Sequence, residues 1–502
     1  MGLLSFFPNN ISISCVSNVV QVLLEGELMV FFIMVVMYFV VLLLLGFLAY
    51  KKTGKTPEDY FLANRSFGSV VLFFTLIATN FSAFTFLGFA GNAYKTGFGQ
   101  YGIMGFGTAI MAVMFYVIGR KVWRLGKEKG YITPPELVGD RFNSMFLRLL
   151  FMGVMVVFTI PYLSIQAIGA GIIIQSITSI SWQFGATVTM VIIMFYVLFG
   201  GMRGSGWTDI IQGVVMILAM LFAVVLIAVN LGGFEMANIA AYKVNPELFT
   251  RPGGRGFFLP QVWFSFMLLW VFADPMFPQI FSRFYTAKNE KSLKTSMVLY
   301  PVVVSFLFLF PVLIGVWAHG AGVVIPSGQY DMVLPLMVEK YAPSIYGFVM
   351  VGALAALMST ADSQLLSLST MLSRDLPFKK FKISEILIGK ILVIVLSFFA
   401  ILYVIAGYDP RTGIMGTLVS TTFSGLAVIC PTTIAVLYWE KATKYGCIGS
   451  IILGEISVFL FQFNILPGFG FLSAIWGVLV SFLALILISY LEKWVTNVQY
   501  HK

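Results

Sequence analysis

A hydroxyl-rich segment with an interior carboxylate occupies residues 356–375 and reads ALMSTADSQLLSLSTMLSRD. At about 100° per residue, seven of its polar side chains fall within roughly 160° of a helical wheel, and most of its apolar side chains lie opposite. Hydroxyl, carboxylate and carbonyl oxygens are the ligands that hard cations prefer, so this face is suited to a small metal cation. The seven residues on this face are Ser359, Thr360, Asp362, Ser363, Ser367, Thr370 and Ser373.

The segment belongs to a chain with the composition of a membrane protein. Of 502 residues, 59% are hydrophobic and 10% are charged, and the mean hydropathy is +0.95. A soluble protein of this size needs more polar residues to cover its surface. Apolar stretches of about 20 residues, the length that crosses a hydrocarbon core of roughly 30 Å, recur along the sequence. We therefore predict an all-α polytopic membrane protein in which the intramembrane carboxylate of Asp362 is functional.

Thirteen transmembrane helices are predicted, with basic residues distributed unequally between their loops. If the N-terminus lies outside, 25 of the 31 lysines and arginines fall on the cytoplasmic side, and Arg283 is counted among these loop residues. The positive-inside rule then predicts a multi-pass plasma-membrane protein with its C-terminus in the cytoplasm. The net charge of +10 is attributed to these loops, so the expected partner is the lipid bilayer and not nucleic acid. The predicted spans are 28–50, 67–91, 98–119, 145–178, 182–201, 208–232, 257–282, 295–320, 345–373, 384–406, 413–439, 445–464 and 469–491.

Ten of these spans divide into two halves of five within a single transporter domain, 1–502. Setting aside an extra N-terminal helix (28–50) and two peripheral helices (445–491) leaves 67–232 and 257–439 as candidate repeats. An odd number of helices per half inserts the second half upside down, which is the plan of secondary transporters whose sites lie at broken helices. Breaks are predicted in the first helix of each half. The polar cluster Thr79, Asn80, Ser82 and Thr85 marks the first, and Asp274 with Pro275 and Pro278 marks the second.

Four motifs spread over most of the chain resemble those of the sodium:solute symporter family. They are TPEDYFLANRSFG, GGMRGSGWTDIIQG, PQIFSRFYTAK and AALMSTADSQLLSLSTMLSRDL. The family includes sodium-coupled carriers for proline, pantothenate, sialic acid, iodide, monocarboxylates and sugars. The resemblance implies the inverted five-helix repeat known from LeuT and a sodium-coupled transport activity.

The resemblance also implies where cations bind. The sodium ligands would be the backbone oxygens of Ala78, Phe81 and Ala356 with the hydroxyls of Ser359 and Thr360. A second cation would lie near Asp209, Asp362 and Ser363. Family members often have a small or hydroxyl residue at the position of Asp362, which leaves the identity of that second ion open. Asp209 has an alternative partner in Arg203 at the cytoplasmic rim.

The expected solute site lies beside the broken helices. Trp270 and Asp274 resemble the substrate-lining positions of the proline carriers, and an acidic side chain there suits an amino group, a hydroxyl or a proton. Asn80, Phe84, Gln166 and Phe423 are further candidates, although Asn80 and Gln166 could equally form hydrogen bonds between helices.

These observations favour sodium-coupled symport of a small polar organic solute by alternating access, with an amino acid or short carboxylate favoured. Sodium is the coupling ion and no other cofactor is expected. The alternative is proton coupling in the same fold, through Asp209, Asp274 or Asp362, and a channel or transporter-like receptor is less favoured. An enzyme is not expected, because two histidines and three cysteines provide no catalytic triad or metal cluster.

Overall fold

The structure of the protein, a computed structural model, describes residues 26–54, 56–178, 180–378, 382–406 and 413–500. Within these ranges the regular structure is helical, apart from one isolated bridge between Phe67 and Ala287. The helices are α1 (Gly26–Lys52), α2 (Pro57–Leu62), α3 (Ser69–Asn80), α4 (Phe89–Thr96), α5 (Gly99–Lys129), α6 (Pro134–Arg141), α7 (Met145–Ile177), α8 (Trp182–Asn230), α9 (Phe234–Val244), α10 (Pro260–Ala273), α11 (Pro278–Thr286), α12 (Glu290–Gly320), α13 (Val333–Tyr341), α14 (Tyr346–Asp375), α15 (Glu385–Ala406), α16 (Gly413–Leu418), α17 (Ser424–Val428), α18 (Cys430–Tyr438), α19 (Lys444–Gln462) and α20 (Ser473–Tyr500).

Among the described residues, nine helices are long and apolar enough to cross a membrane, and two bent pairs raise this number to eleven. The bent pairs are α3 with the segment from Phe84 to the end of α4, at 59°, and α10 with α11, at 55°. Both lie where the sequence predicts a broken helix, so the two breaks are confirmed. The count of thirteen stays a prediction, because it needs α8 counted as two spans and α16 to α18 counted as one.

Helix α8 includes two predicted spans without a loop between them. Its 49 residues would extend about 74 Å if straight, more than twice the hydrocarbon thickness. Gly201 interrupts it with φ 54° and ψ −159°, a conformation available almost only to glycine. Tyr196 and Ser205, on opposite sides of Gly201, both bond to the carboxylate of Asp362. The bend therefore directs both arms of α8 at the same point.

The two breaks have different local causes. Helix α3 ends at Asn80, and Phe81 is extended, with φ −78° and ψ 118°. The freed N–H of Ala83 donates to the side-chain oxygen of Gln166 in α7 at 3.0 Å. In the second break, Pro278 forces its predecessor Phe277 into an extended conformation, with φ −60° and ψ 125°. A side chain from another helix supports the first break, and proline produces the second.

Helix α14 holds the polar segment at the centre of the molecule. From Val349 onward nearly all of its residues are buried, and it packs against α3, α7, α8, α11 and α15. Because every face of α14 is covered by protein, its hydroxyls and its carboxylate face other helices and not lipid. This arrangement positions the candidate site.

We predict that Gly201→Ala destabilises the protein by about 1–3 kcal/mol, because alanine is strained in this conformation. Its Cβ would also lie 2.8 Å from the Tyr60 carbonyl oxygen. Thermal unfolding of purified protein in detergent measures the effect as a lower midpoint. Gly200→Ala is the control, since its Cβ would have an ordinary contact of 3.6 Å with Gly46. Equal midpoints for the two variants would contradict the role assigned to the bend.

Candidate functional site

The end of α3 and the middle of α14 form a compact cluster of oxygen atoms. The hydroxyl of Ser359 donates to the carbonyl oxygens of Ala78 at 2.8 Å and Ala356 at 3.1 Å. The hydroxyl of Thr360 lies 2.9 Å from the carbonyl oxygen of Phe81, 3.1 Å from that of Ala356 and 3.4 Å from that of Ala78. All five predicted sodium ligands therefore come together in one place.

The break in α3 explains why these carbonyl oxygens are available. In a continuous helix each carbonyl accepts from the N–H four residues later, and the last carbonyls of a helix lose that partner. The N–H of Ala83, which would serve Thr79 in a continuous helix, is bonded to Gln166 instead. The C-terminal end of a helix also has partial negative charge, which favours a cation. Carbonyl and hydroxyl oxygens at this end form a donor set for a hard cation.

A second polar cluster surrounds Arg283, a residue counted among the loop residues from the sequence. That expectation was wrong, because Arg283 lies in α11 with its side chain fully buried. Its Nη2 lies 2.5 Å from Ser363 Oγ, 2.8 Å from Ser205 Oγ and 3.2 Å from Asp209 Oδ2. Asp209 Oδ2 also accepts from the Thr75 hydroxyl. The alternative pairing of Asp209 with Arg203 was wrong as well, since Arg203 pairs with Asp59 at 2.7 Å.

Asp362 lies beside this guanidinium and is bonded through hydroxyl groups. Its Oδ1 accepts from Ser205 at 3.1 Å and from Ser363 at 3.0 Å, and its Oδ2 accepts from Tyr196 at 3.1 Å. The three residues predicted for a second cation, Asp209, Asp362 and Ser363, are thus brought together, with an arginine between them. One sequence signal could have identified Arg283: it lies five residues after Pro278 and is the one charged residue of α11.

Three of the predicted solute residues form an aromatic cluster between the two breaks. The ring centroids of Phe84 and Trp270 are 5.5 Å apart, those of Phe84 and Phe423 are 5.7 Å apart, and those of Trp270 and Phe423 are 5.4 Å apart. All three side chains are buried. The edge-on packing of these rings closes an apolar region beside both broken helices.

Polar groups lie at one end of this region. Asn80 Nδ2 donates to Asp274 Oδ2 at 3.3 Å and to the hydroxyl of Tyr300 at 2.5 Å, so it links the two broken helices. The indole nitrogen of Trp270 is buried without a hydrogen-bond partner among the described residues. Gln166 uses both amide atoms within the protein, accepting from Ala83 and donating to the Tyr162 carbonyl. Its role as a solute ligand stays a prediction.

Known proteins with the same helical arrangement are membrane transporters. The model of the Sodium:solute symporter family matches residues 60–454. The high-affinity proline transporter PutP of Bacillus subtilis (strain 168) is 26% identical over 449 residues, which cover 85% of this chain and 93% of that protein. The sodium/pantothenate symporter of Escherichia coli (strain K12) is 28% identical over 413 residues, which cover 81% of this chain and 84% of that protein.

Among solved structures, a Na⁺-coupled sialic acid symporter in a substrate-bound outward-open state has a TM-score of 0.76 at 18% identity. The similarity covers 92% of this chain and 98% of that one. A nucleobase-cation-symport-1 family transporter, Mhp1, has the same fold at a TM-score of 0.56, with 14% identity over 86% of this chain and 94% of that one. The fold is therefore LeuT-like, and with a family match over residues 60–454 the chain belongs to the sodium:solute symporter family.

Proposed function

We propose that this symporter binds Na⁺ between α3 and α14 and couples its movement to uptake of a small polar solute by alternating access. The observation that carries the proposal is the convergence of the Ser359 and Thr360 hydroxyls on the carbonyl oxygens at the break in α3. The relatives named above, described as transporters of proline and as a sodium/pantothenate symporter, support the same activity. The excess of lysine and arginine in the loops on one side of the membrane supports an outside N-terminus and a cytoplasmic C-terminus.

The chemistry of this first cation site favours sodium over a proton. Its five ligand atoms are hydroxyl and carbonyl oxygens, and none of them is a base that binds a proton near neutral pH. A metal cation needs only oxygen lone pairs directed at one point, which this cluster supplies. Proton coupling, the alternative from the sequence, would have to use a carboxylate elsewhere.

The proposed solute is an amino acid. Trp270 and Asp274 lie at positions i and i+4 of α10 and its continuing turn, so they lie on one face. The indole N–H of Trp270 is a donor without a partner among the described residues, and it suits a carboxylate oxygen of a solute. Asp274 is an acceptor that suits an amino group or a hydroxyl. The rings of Phe84 and Phe423 would pack against the apolar part of such a solute.

Replacing both hydroxyls, in Ser359→Ala with Thr360→Ala, should raise the sodium concentration for half-maximal binding at least tenfold. Each lost ligand oxygen costs about 1 kcal/mol by analogy with an unmade hydrogen bond, and about 1.4 kcal/mol corresponds to a factor of ten. Binding of ²²Na⁺ to purified protein measures the change. The control is Ser369→Ala, since among the described residues this buried hydroxyl bonds to the Leu366 carbonyl of its own helix alone. Sodium affinity unchanged in the folded double variant would remove α14 from the ion site.

Asp274→Asn should weaken solute binding tenfold or more while changing sodium affinity less than twofold. The reason is that Asp274 accepts a hydrogen bond from Asn80 beside the aromatic cluster, and within the described part of the chain it has no hydrogen bond to the five proposed sodium ligands. A thermal-shift screen of amino acids, short carboxylates and sugars, with and without sodium, first identifies the solute through its stabilisation of the folded protein. Glu455→Gln in α19 is the matched control, since it makes the same change in another carboxyl group, a half-buried one with a buried Oε1. Unchanged solute affinity in Asp274→Asn would show that this side chain only stabilises the broken helix.

A further inference from the structure

We propose that the guanidinium of Arg283 is a fixed internal cation that fills the second cation site, so that this transporter binds one sodium ion and not two. The proposal deepens the function proposed above and relies on it only for the position of the first sodium ion. It replaces a mobile second cation at Asp209, Asp362 and Ser363 with a positive charge that belongs to the chain.

The geometry places one nitrogen atom where a second ion would need to bind. Nη2 of Arg283 lies within 2.5–3.2 Å of oxygen atoms from Ser363, Ser205 and Asp209. Ser363 and Asp209 are two of the three residues predicted for the second cation site. Ser205 bonds to the third of them, Asp362. A sodium ion bound to the same oxygen atoms would need the space that this nitrogen occupies.

The hydrogen bonds also account for Asp362. Ser205 and Ser363 each accept from Nη2 of Arg283 and donate to Oδ1 of Asp362, so two parallel hydroxyl bridges connect the guanidinium to this carboxylate. Asp209 contacts the guanidinium directly at 3.2 Å. One cation therefore serves two buried carboxylates, and the Tyr196 hydroxyl adds a third hydrogen bond to Asp362. Buried charges need such partners to offset their desolvation.

The guanidinium is suited to a permanent role. Arginine keeps its charge at all physiological pH values and has several donors in a fixed plane. Its other terminal nitrogen, Nη1, lies beside the sulfur of Met202 in α8. Asp209 Oδ1 is the carboxylate oxygen of this cluster without a partner among the described residues. A single such oxygen is insufficient to hold a sodium ion.

The test is the number of ²²Na⁺ ions bound per chain at saturation, measured on purified protein without solute. We expect one ion for the unmodified protein and two for Arg283→Gln, because removing the guanidinium leaves two carboxylates and two hydroxyls around one position. Arg203→Gln is the matched control, since Arg203 also pairs with an aspartate but lies outside this cluster; it should bind one ion. Two ions bound by the unmodified protein, or a second ion gained equally by Arg203→Gln, would overturn the proposal.

Two further variants separate this proposal from the first sodium site. Combining Ser359→Ala and Thr360→Ala with the unmodified Arg283 should abolish sodium binding in the same concentration range, and adding Arg283→Gln should restore one ion. If the hydroxyl variants keep their ion, the proposed first site fails while the count for the unmodified chain still tests the role of Arg283.

If Arg283→Gln does not fold, the variant Asp362→Asn provides the test. Because Asp362 bonds to hydroxyl groups and not to an ion in this proposal, Asp362→Asn should bind one sodium ion, as the unmodified protein does. Fewer ions bound by Asp362→Asn than by the unmodified protein would overturn the proposal.

Discussion

The unwound backbone of the first broken helix is the constraint on which the site depends. A bilayer offers no water to unpaired carbonyl and N–H groups, so irregular backbone persists there only where other protein groups satisfy it. Here the partners come from two other helices. Gln166 in α7 accepts from Ala83, and Ser359 and Thr360 in α14 donate to the carbonyl oxygens of Ala78 and Phe81. The hydroxyls that stabilise the break are the same groups that are proposed to bind sodium, so folding and ion binding use one set of contacts.

Three consecutive residues at the end of α3 connect the three parts of the site. The carbonyl oxygen of Ala78 faces the hydroxyls of α14, the hydroxyl of Thr79 lies 3.1 Å from Ser363 of the arginine cluster, and the amide of Asn80 bonds to Asp274. Successive helical residues point about 100° apart, so one short stretch can reach three neighbours. A movement of this stretch would change the proposed cation site and the proposed solute region together, which gives ion and solute coupling a physical basis.

The buried arginine fixes the relative positions of the helices around that stretch. Arg283 extends from the second broken helix and contacts Ser205 and Asp209 on α8 and Ser363 on α14. Removing one partner of a buried ion pair costs about 3–5 kcal/mol, because the other charge is left uncompensated. The cluster therefore holds the second broken helix in one register against the rest of the protein. The edge-on rings of Phe84, Trp270 and Phe423 close the region beside it.

The sequence determined the features that depend on local chemistry. Hydrophobic segments of membrane-spanning length established the fold class, and prolines and clustered polar residues located both broken helices. The stripe Ser359, Thr360, Asp362 and Ser363 identified the central face of α14, because helical periodicity alone places these side chains together. The motifs added the five proposed sodium ligands, including backbone oxygens that no side-chain pattern marks.

Only the tertiary structure decided how the charges are paired. A positive-inside count treats every basic residue near a helix end as a loop residue, so it placed Arg283 outside the protein core. The fold instead places the Arg283 side chain of α11 between α8 and α14, and this brings residues about 70 to 80 positions apart in sequence within hydrogen-bond distance. The same applies to Gly201, whose positive φ lets α8 bend so that Tyr196 and Ser205 meet Asp362. Pairings between helices depend on packing in three dimensions, and local patterns of residues along the chain do not show which helices meet.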